Sequence, residues 1–273
     1  MLRAYSTLVY LFLYTPILIV VVFSFTLSKH ATSFECCGVS WFAKVLENPF
    51  MMEALFNSLR IAFVSAIIAT VFGTLAVLAL NSMRGPMRMV YDALTYSAII
   101  IPGIVIGIAT LSALVSAFDL INPWIASVWP GDEAPELGMG YLTVVAAHSL
   151  FTMALVIIIV RTRLESMDQR LIEASYDLYA TPRQTFFRVT LPYILPGVIS
   201  GFLLAFTFSF DDFIIAFFVA GSETTLPIYI FSSIRRGITP EVNAISTMII
   251  ACSLILLVIA RMLEKKGLAQ SGQ

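Results

Sequence analysis

Charge is scarce in this chain. Only 12% of its 273 residues are Asp, Glu, Lys or Arg, where a soluble domain carries about 25%. That excludes a soluble globular domain of ordinary kind. Histidine and cysteine are scarcer still, at two and three, and no spacing fits a metal centre, so none is expected. Cys36 and Cys37 are adjacent, a separation that rarely allows a relaxed disulfide. With Cys252 they read as small apolar residues. No G-x-x-x-x-G-K-[ST] occurs, which excludes a P-loop ATP site in this chain. No segment alternates polarity in the manner of a barrel strand. Net charge is −1, so no global electrostatic argument applies and no nucleic-acid partner is expected.

Apolar length is abundant. Hydrophobic residues make up 59% of the chain, and six runs reach the roughly 20 residues that a helix needs to cross a bilayer. They lie near 8–27, 57–80, 90–117, 141–160, 193–220 and 242–262. The first follows Arg3 but is too long for a signal-peptide core and lacks a clear cleavage site, so it reads as a membrane helix. With the N-terminus inside, the inner segments hold 11 of the 16 Lys and Arg, including Arg84, Arg88, Arg161, Arg163, Arg261, Lys265 and Lys266. The positive-inside rule then places both termini and residues 161–192 in the cytoplasm. Residues 28–56 mix aromatics with charge and read as lying along the outer interface. Residues 118–140 carry Pro123, Trp124, Trp129, Asp132, Glu133 and Glu136. They read as an acidic outer loop, anchored at the membrane surface in preference to a partner contact. No internal repeat appears, and the chain reads as a single domain, 1–273.

Arg161–Pro192 is a polar island between two apolar runs and holds nine of the chain's 33 formal charges. Leu164, Met167, Leu171, Ala174 and Leu178 recur at helical steps, forming an amphipathic stripe. Thr181 is placed to cap a second helix with Pro182 at its first position. The pattern predicts two short helices meeting at a turn near Tyr179–Thr181, either resting on lipid headgroups or offered to a soluble partner. The residues Glu173-Ala174-Ser175-x-Asp177-Leu178-x-Ala180, then Val189-x-Leu191-Pro192, resemble the EAA loop of binding-protein-dependent ABC importer permeases. The resemblance implies that this loop forms coupling helices seated in a groove of a cytoplasmic ATPase, with Glu173 and Ala174 at the centre. It also departs from the family pattern twice. Ser175 stands for the second alanine, and Tyr179 for a glycine that would supply a positive φ.

The fifth run contains Asp211 and Asp212. An ionised carboxylate at the bilayer centre costs about 2.5–3.5 kcal/mol on insertion scales, so the pair must face protein or water. Gly197, Ser200, Thr207 and Asp211 share one helical face, which can line an aqueous path. Asp211, with Asp212, is then the candidate attractor for a cationic substrate, against a structural carboxylate bonded to a neighbouring helix. His148 can line the same path or serve as a packing histidine. Arg235, Arg236 and Glu241 lie near the outer start of the last run. They sit against a partner or in the interface. Pro102 is placed to kink the third helix.

SFDDFIIAFFVAG and the stretch Thr224–Thr247, with Tyr14-x-Pro16, Ser24-Phe25, Asn57-Ser58-Leu59 and Ala147-His148-Ser149-Leu150-Phe151, narrow the resemblance to the spermidine/putrescine permeases. Gly103 departs from an acidic residue often found after the proline in that branch, which leaves another small cationic or organic solute as the alternative cargo of such a permease. The resemblance implies an all-α integral membrane protein with six transmembrane helices of the type I ABC importer (MetI-like) fold, in a bacterial inner membrane. It implies a second permease subunit, a dimeric ATPase that binds ATP and Mg, and an extracytoplasmic polyamine-binding protein. No cofactor is expected in this chain. A secondary transporter would require inverted repeats and discontinuous helices, neither of which the sequence displays. A structural or sensory membrane subunit is the third class of reading.

Overall fold

The computed structural model describes residues 2–29, 33–81, 83–131, 133–237 and 239–270, with the backbone alone beyond residue 255. Asp132 and the side chains of Arg261, Lys265 and Lys266 therefore lie outside the described residues. The described residues fold into twelve α-helices and no strand. Five helices are long and apolar enough to cross a membrane: Tyr5–Phe23, Pro49–Leu80, Gly103–Val128, Tyr141–Glu165 and Pro182–Asp211. Pro240–Ile255 is a shorter apolar helix, which completes the expected set. The chain divides into two compact units, residues 1–53 with 229–273, and residues 54–228.

In the first unit, helix α1 (Leu2–Phe23) and the short helix α2 (Ser40–Glu47) both pack against the last helix, α12 (Pro240–Gln270). Helix α2 is amphipathic. It buries Trp41 and Val45, and Lys44 Nζ stands 3.8 Å from the centre of the Trp41 ring. Asn48 caps the following helix α3 (Pro49–Asn81): its Oδ1 accepts from Met51 N at 3.2 Å, and its Nδ2 donates to Tyr229 Oη and Glu241 Oε2. Glu241 is thereby tied to its own unit. Contrary to the expectation for neighbouring cysteines, Cys36 and Cys37 are joined by a disulfide.

In the second unit, α6 (Tyr141–Glu165) and α9 (Leu191–Asp211) run antiparallel and form the spine. Helices gain little from hydrophobic burial when their surroundings are lipid, so close van der Waals packing must hold them together. Val156 supplies that packing. It is fully buried, and a Cβ built on either Gly73 of α3 or Gly201 of α9 would approach its Cγ1 to 3.0 and 3.3 Å. Ala66, Ala69, Val160, Ile194 and Ala205 complete the layer. Toward the other end, Ser65 Oγ donates to Val145 O and Ser58 Oγ accepts from Leu226 N.

Two expected spans are broken. The third is α4 (Pro86–Ile100) followed by α5 (Gly103–Val128), with Ile101 and Pro102 extended. Pro102 causes this: a residue before proline is disfavoured in the α region, and proline has no amide hydrogen to donate. The kink expected at Pro102 is thus a full interruption. The fifth span is α9 followed by α10 (Ile214–Val219), with Asp212 extended at φ −70° and ψ 120°. Neither span is the continuous helix that the length of its apolar run suggests. Helix α5 also runs past Ala117 to Val128 with Pro123 inside it, so the loop expected over 118–140 begins only after that helix. Likewise α3 starts at Pro49 and not near Asn57.

The turn after α10 depends on Gly221. Its φ is +59°, and a Cβ there would collide with the carbonyl oxygen of Met139. Gly221→Ala is expected to lower the melting temperature of the detergent-solubilised protein, a loss of about 1–3 kcal/mol for a strained non-glycine residue. The exposed neighbour Ser222→Ala should melt within about 0.5 kcal/mol of wild type. Equal melting of the two variants would contradict the assignment.

Candidate functional site

The polar island folds as the two-helix hook that its pattern predicts. Helix α7 (Arg170–Asp177) ends in a turn, and α8 (Pro182–Thr185) continues through a π-helical turn, Phe186–Thr190, into α9. Thr181 is the N-cap of α8, as expected. Its amide donates to Gln184 Oε1 at 2.8 Å, and its Oγ1 accepts from Gln184 N at 3.4 Å, a reciprocal capping box. The hook is tied back to the spine by Tyr193, whose Oη donates to Ser166 O at 2.9 Å. Arg163 Nε donates to Tyr193 O, and its guanidinium lies 4.8 Å from that ring.

The expected apolar stripe does not stay on one face. Leu164 and Met167 are buried, whereas Leu171, Ala174 and Leu178 are uncovered. The chain bends between α6 and α7, which resets the helical phase. The inward residues of α7 are therefore Ile172 and Ser175. Ser175 is buried; its Oγ donates to Ile172 O at 2.7 Å and accepts from Thr185 Oγ1 at 2.8 Å. It stitches α7 to α8 and does not belong to the outward surface. That surface presents Glu173, Ala174, Tyr176, Asp177, Leu178 and Tyr179, all exposed. Ala180 is half-buried, Leu191 packs on the core, and Pro192 is exposed at the start of α9.

The turn between the helices has the Schellman pattern. Ala180 N donates to Ser175 O at 3.0 Å and Tyr179 N to Tyr176 O at 2.9 Å, and the residue between cap and exit must be left-handed. Tyr179 takes that conformation, at φ +60°. The turn for which a glycine was expected thus forms with tyrosine in the left-handed position, a residue that costs about 1–2 kcal/mol in that region.

The second element is the broken fifth span. Asp212, one residue before the N-cap Phe213, caps the first turn of α10 with its side chain: its Oδ2 accepts from Ile215 N at 2.9 Å and from Ala216 N at 3.0 Å. His148 of α6 is buried; its Nδ1 lies 2.8 Å from Ser209 Oγ, and its Nε2 lies 3.2 Å from Asp212 Oδ2 without hydrogen-bond alignment. A proton on Nε2 would face Asp212 and leave Nδ1 to accept from Ser209. His148 and Asp212 therefore meet at the break, Asp212 through the two amides it caps and His148 through Ser209. Asp211 differs: it ends α9 with its side chain exposed. Ser200 and Thr207 are exposed on the same helix, their hydroxyls donating to Pro196 O and Leu203 O. Gly197 leaves that face and is buried beneath Arg163. Sequence reasoning missed the cap, although Asp before a helix-forming run is a known N-cap signal.

Asp212→Ala is expected to lose about 0.5–2 kcal/mol of stability through the cap, whereas Asp212→Asn keeps an accepting oxygen and most of that stability. Asp211→Asn should change the melting temperature little. Thermal unfolding in detergent distinguishes the three; equal loss from Asp211→Asn and Asp212→Ala would contradict the division of roles.

The chain matches a family model described as "Binding-protein-dependent transport system inner membrane component" over residues 74–266. It is 38% identical to the putrescine transport system permease protein PotI of Escherichia coli K12, over 88% of this chain and 82% of that protein. It is 31% identical to the spermidine/putrescine transport system permease protein PotC of Haemophilus influenzae, over 97% and 96%. A solved bacterial ABC transporter for import of the acidic polysaccharide alginate shares the fold, with TM-score 0.71 at 16% identity over 96% of this chain and 93% of that one. The inward-facing methionine transporter MetNI does so with TM-score 0.59 at 17% identity, over 77% and 92%. With this match over most of its length, the chain belongs to the inner membrane components of binding-protein-dependent transport systems, as a multi-pass permease subunit of the bacterial inner membrane.

Proposed function

We propose that this chain forms one half of the translocation pathway of an ATP-driven polyamine importer and that its 161–192 hook couples the pathway to a separate ATPase. The observation that carries this reading is the hook itself. It is braced inside by Ser175 and Thr185 and capped by Thr181, and it turns Glu173 and Ala174 outward. Small side chains beside a carboxylate can enter a groove and meet a cationic partner. The distribution of Lys and Arg supports a cytoplasmic hook and cytoplasmic termini, the compartment of a soluble ATPase. ATP and Mg would be held by that dimeric partner. A second permease subunit, of different sequence, would complete the pathway, and an extracytoplasmic polyamine-binding protein would deliver the cargo. The relatives named for putrescine and for spermidine support the cargo class.

Within the pathway, Asp211 is the candidate contact for a cationic substrate, with Thr207 and Ser200 below it on α9. Asp212 and His148 would shape the path by fixing the break. ATPase closure would move the hook, and α6 would carry that movement to His148. An ion-coupled secondary transporter is the rival class. The two interrupted spans fit such a protein, but family membership favours the ATP-driven reading.

Two measurements test this. Glu173→Arg should abolish co-purification of the ATPase while leaving the permease folded. Asp211→Asn, in an assembled complex, should lower polyamine uptake about tenfold or raise its KM by that factor, equivalent to about 1.4 kcal/mol. Uptake that follows an ion gradient in a complex without ATPase would refute the proposal.

A further inference from the structure

We infer that Tyr179 is the anchor by which this permease selects its own ATPase, seated in an apolar slot of that partner with a hydrogen-bonding group at its floor and a cationic rim. The inference rests on the reading that the hook docks on an ATPase. It concerns a residue at which this chain departs from the family's glycine.

Three observations carry it. First, the backbone at Tyr179 is left-handed, at φ +60°, a conformation that glycine adopts freely and a tyrosine does not. Glycine there would close the same turn with less strain. Second, the fold gains no burial in return. The Tyr179 ring is 96% exposed and its neighbour Leu178 is 82% exposed. A strained backbone carrying an unburied aromatic ring is a cost to the free subunit. Third, the ring is held at a fixed place. Two backbone hydrogen bonds close the turn beneath it, the Thr181 capping box follows within two residues, and Ser175–Thr185 ties the flanking helices. A side chain with two rotatable bonds, projecting from a fixed apex, loses little freedom on insertion into a partner.

The chemistry of the slot follows from its surroundings. The ring is apolar with one hydroxyl, and buried phenols generally find a hydrogen-bond partner. Glu173 and Asp177 are exposed one helical turn apart on α7, while the exposed Arg170 and Arg183 lie at the far ends of the hook, so the rim facing the two carboxylates carries Lys or Arg. A tyrosine on this surface could instead rest among lipid headgroups, where such rings are common. The experiment separates that occupant from the ATPase.

The full-length permease, in nanodiscs of stated anionic lipid content, is compared as wild type, Tyr179→Gly, Tyr179→Asn and Tyr179→Phe. Melting temperature, affinity for the cognate ATPase, and affinity for an ATPase whose own permease carries glycine at this turn are measured. Tyr179→Gly should melt higher than wild type, yet bind the cognate ATPase about tenfold or more weakly, as expected for an aromatic anchor. It should also lose its preference between the two ATPases. Tyr179→Asn, which tolerates the left-handed region, should bind as weakly. Tyr179→Phe should retain binding to within about fivefold, the share of one hydrogen bond. Wild-type binding with unchanged affinity in Tyr179→Gly would overturn this inference and leave the coupling reading intact. So would a loss confined to the permease's interaction with anionic lipid. If the wild type binds no ATPase, both fall.

Discussion

A single carboxylate oxygen organises the half of the second unit that lies away from the hook. Asp212 Oδ2 accepts the amides of Ile215 and Ala216 and stands 3.2 Å from His148 Nε2. Inside a bilayer a helix may be interrupted only where the freed backbone groups find partners in the protein. Asp212 supplies those partners for α10, and the break can therefore exist at that depth. At the other interruption, Pro102 has no amide to satisfy, and its carbonyl accepts from Val105 and Ile106. The two breaks also meet. Gly103 faces Ile214, and Gly107 lies so close to α10 that a Cβ would come within 3.5 Å of Ile214 O and Ile215 Cα. The starts of α5 and α10 thus pack as neighbours, and Thr143 Oγ1 fastens the far end of α10 through Val219 O at 2.6 Å.

This arrangement gives α6 a particular mechanical place. It is the uninterrupted helix between the two features with functional consequence. His148 near its start lies against the break; Arg163 and Glu165 at its end hold the hook and α4. Seventeen residues separate His148 from Glu165, or about 25 Å of helix. Arg161 Nη1 meets Asp92 Oδ1 at 2.6 Å and its Nε meets Glu165 Oε1 at 2.9 Å, which clamps α4 to the same end of α6. Displacement of the hook is therefore shared by α4, α6 and α9, and reaches α10 through Asp212 at the end of α9, through the α5 packing, and through His148 and Thr143 of α6.

Much of this was legible in the residues. The apolar runs located the spans, because length and hydropathy decide whether a helix crosses. The hook was legible for a different reason: Thr181, Pro182 and Gln184 are local signals whose physics does not depend on distant packing. The interruption at Asp212 was hidden. Its cap signal sits inside a run apolar enough to read as one continuous helix, and two carboxylates there read as facing water. One does face outward, and the other is consumed by the backbone. Similarly, the stripe from Leu164 to Leu178 obeys helical spacing, but the bend after Glu165 breaks the single helix that such spacing assumes. His148 could not be placed by pattern, since its partners Ser209 and Asp212 lie more than sixty positions away.

The two departures from the expected loop pattern are physically linked. Ser175 in place of alanine adds a hydroxyl that faces inward and ties α7 to α8 through Thr185. Tyr179 in place of glycine adds strain at the turn joining those same helices. A buried hydrogen bond contributes about 0.5–1.5 kcal/mol, and a left-handed non-glycine residue costs about 1–2 kcal/mol. The magnitudes are comparable and the positions adjacent: Ser175 O also receives the amide of Ala180 that closes the turn. The inward change thus offsets the outward one. An alanine at 175 would leave Thr185 without its partner beneath a turn already carrying the tyrosine. The pair keeps the turn closed while leaving the ring uncovered, the arrangement that the inferred anchor requires.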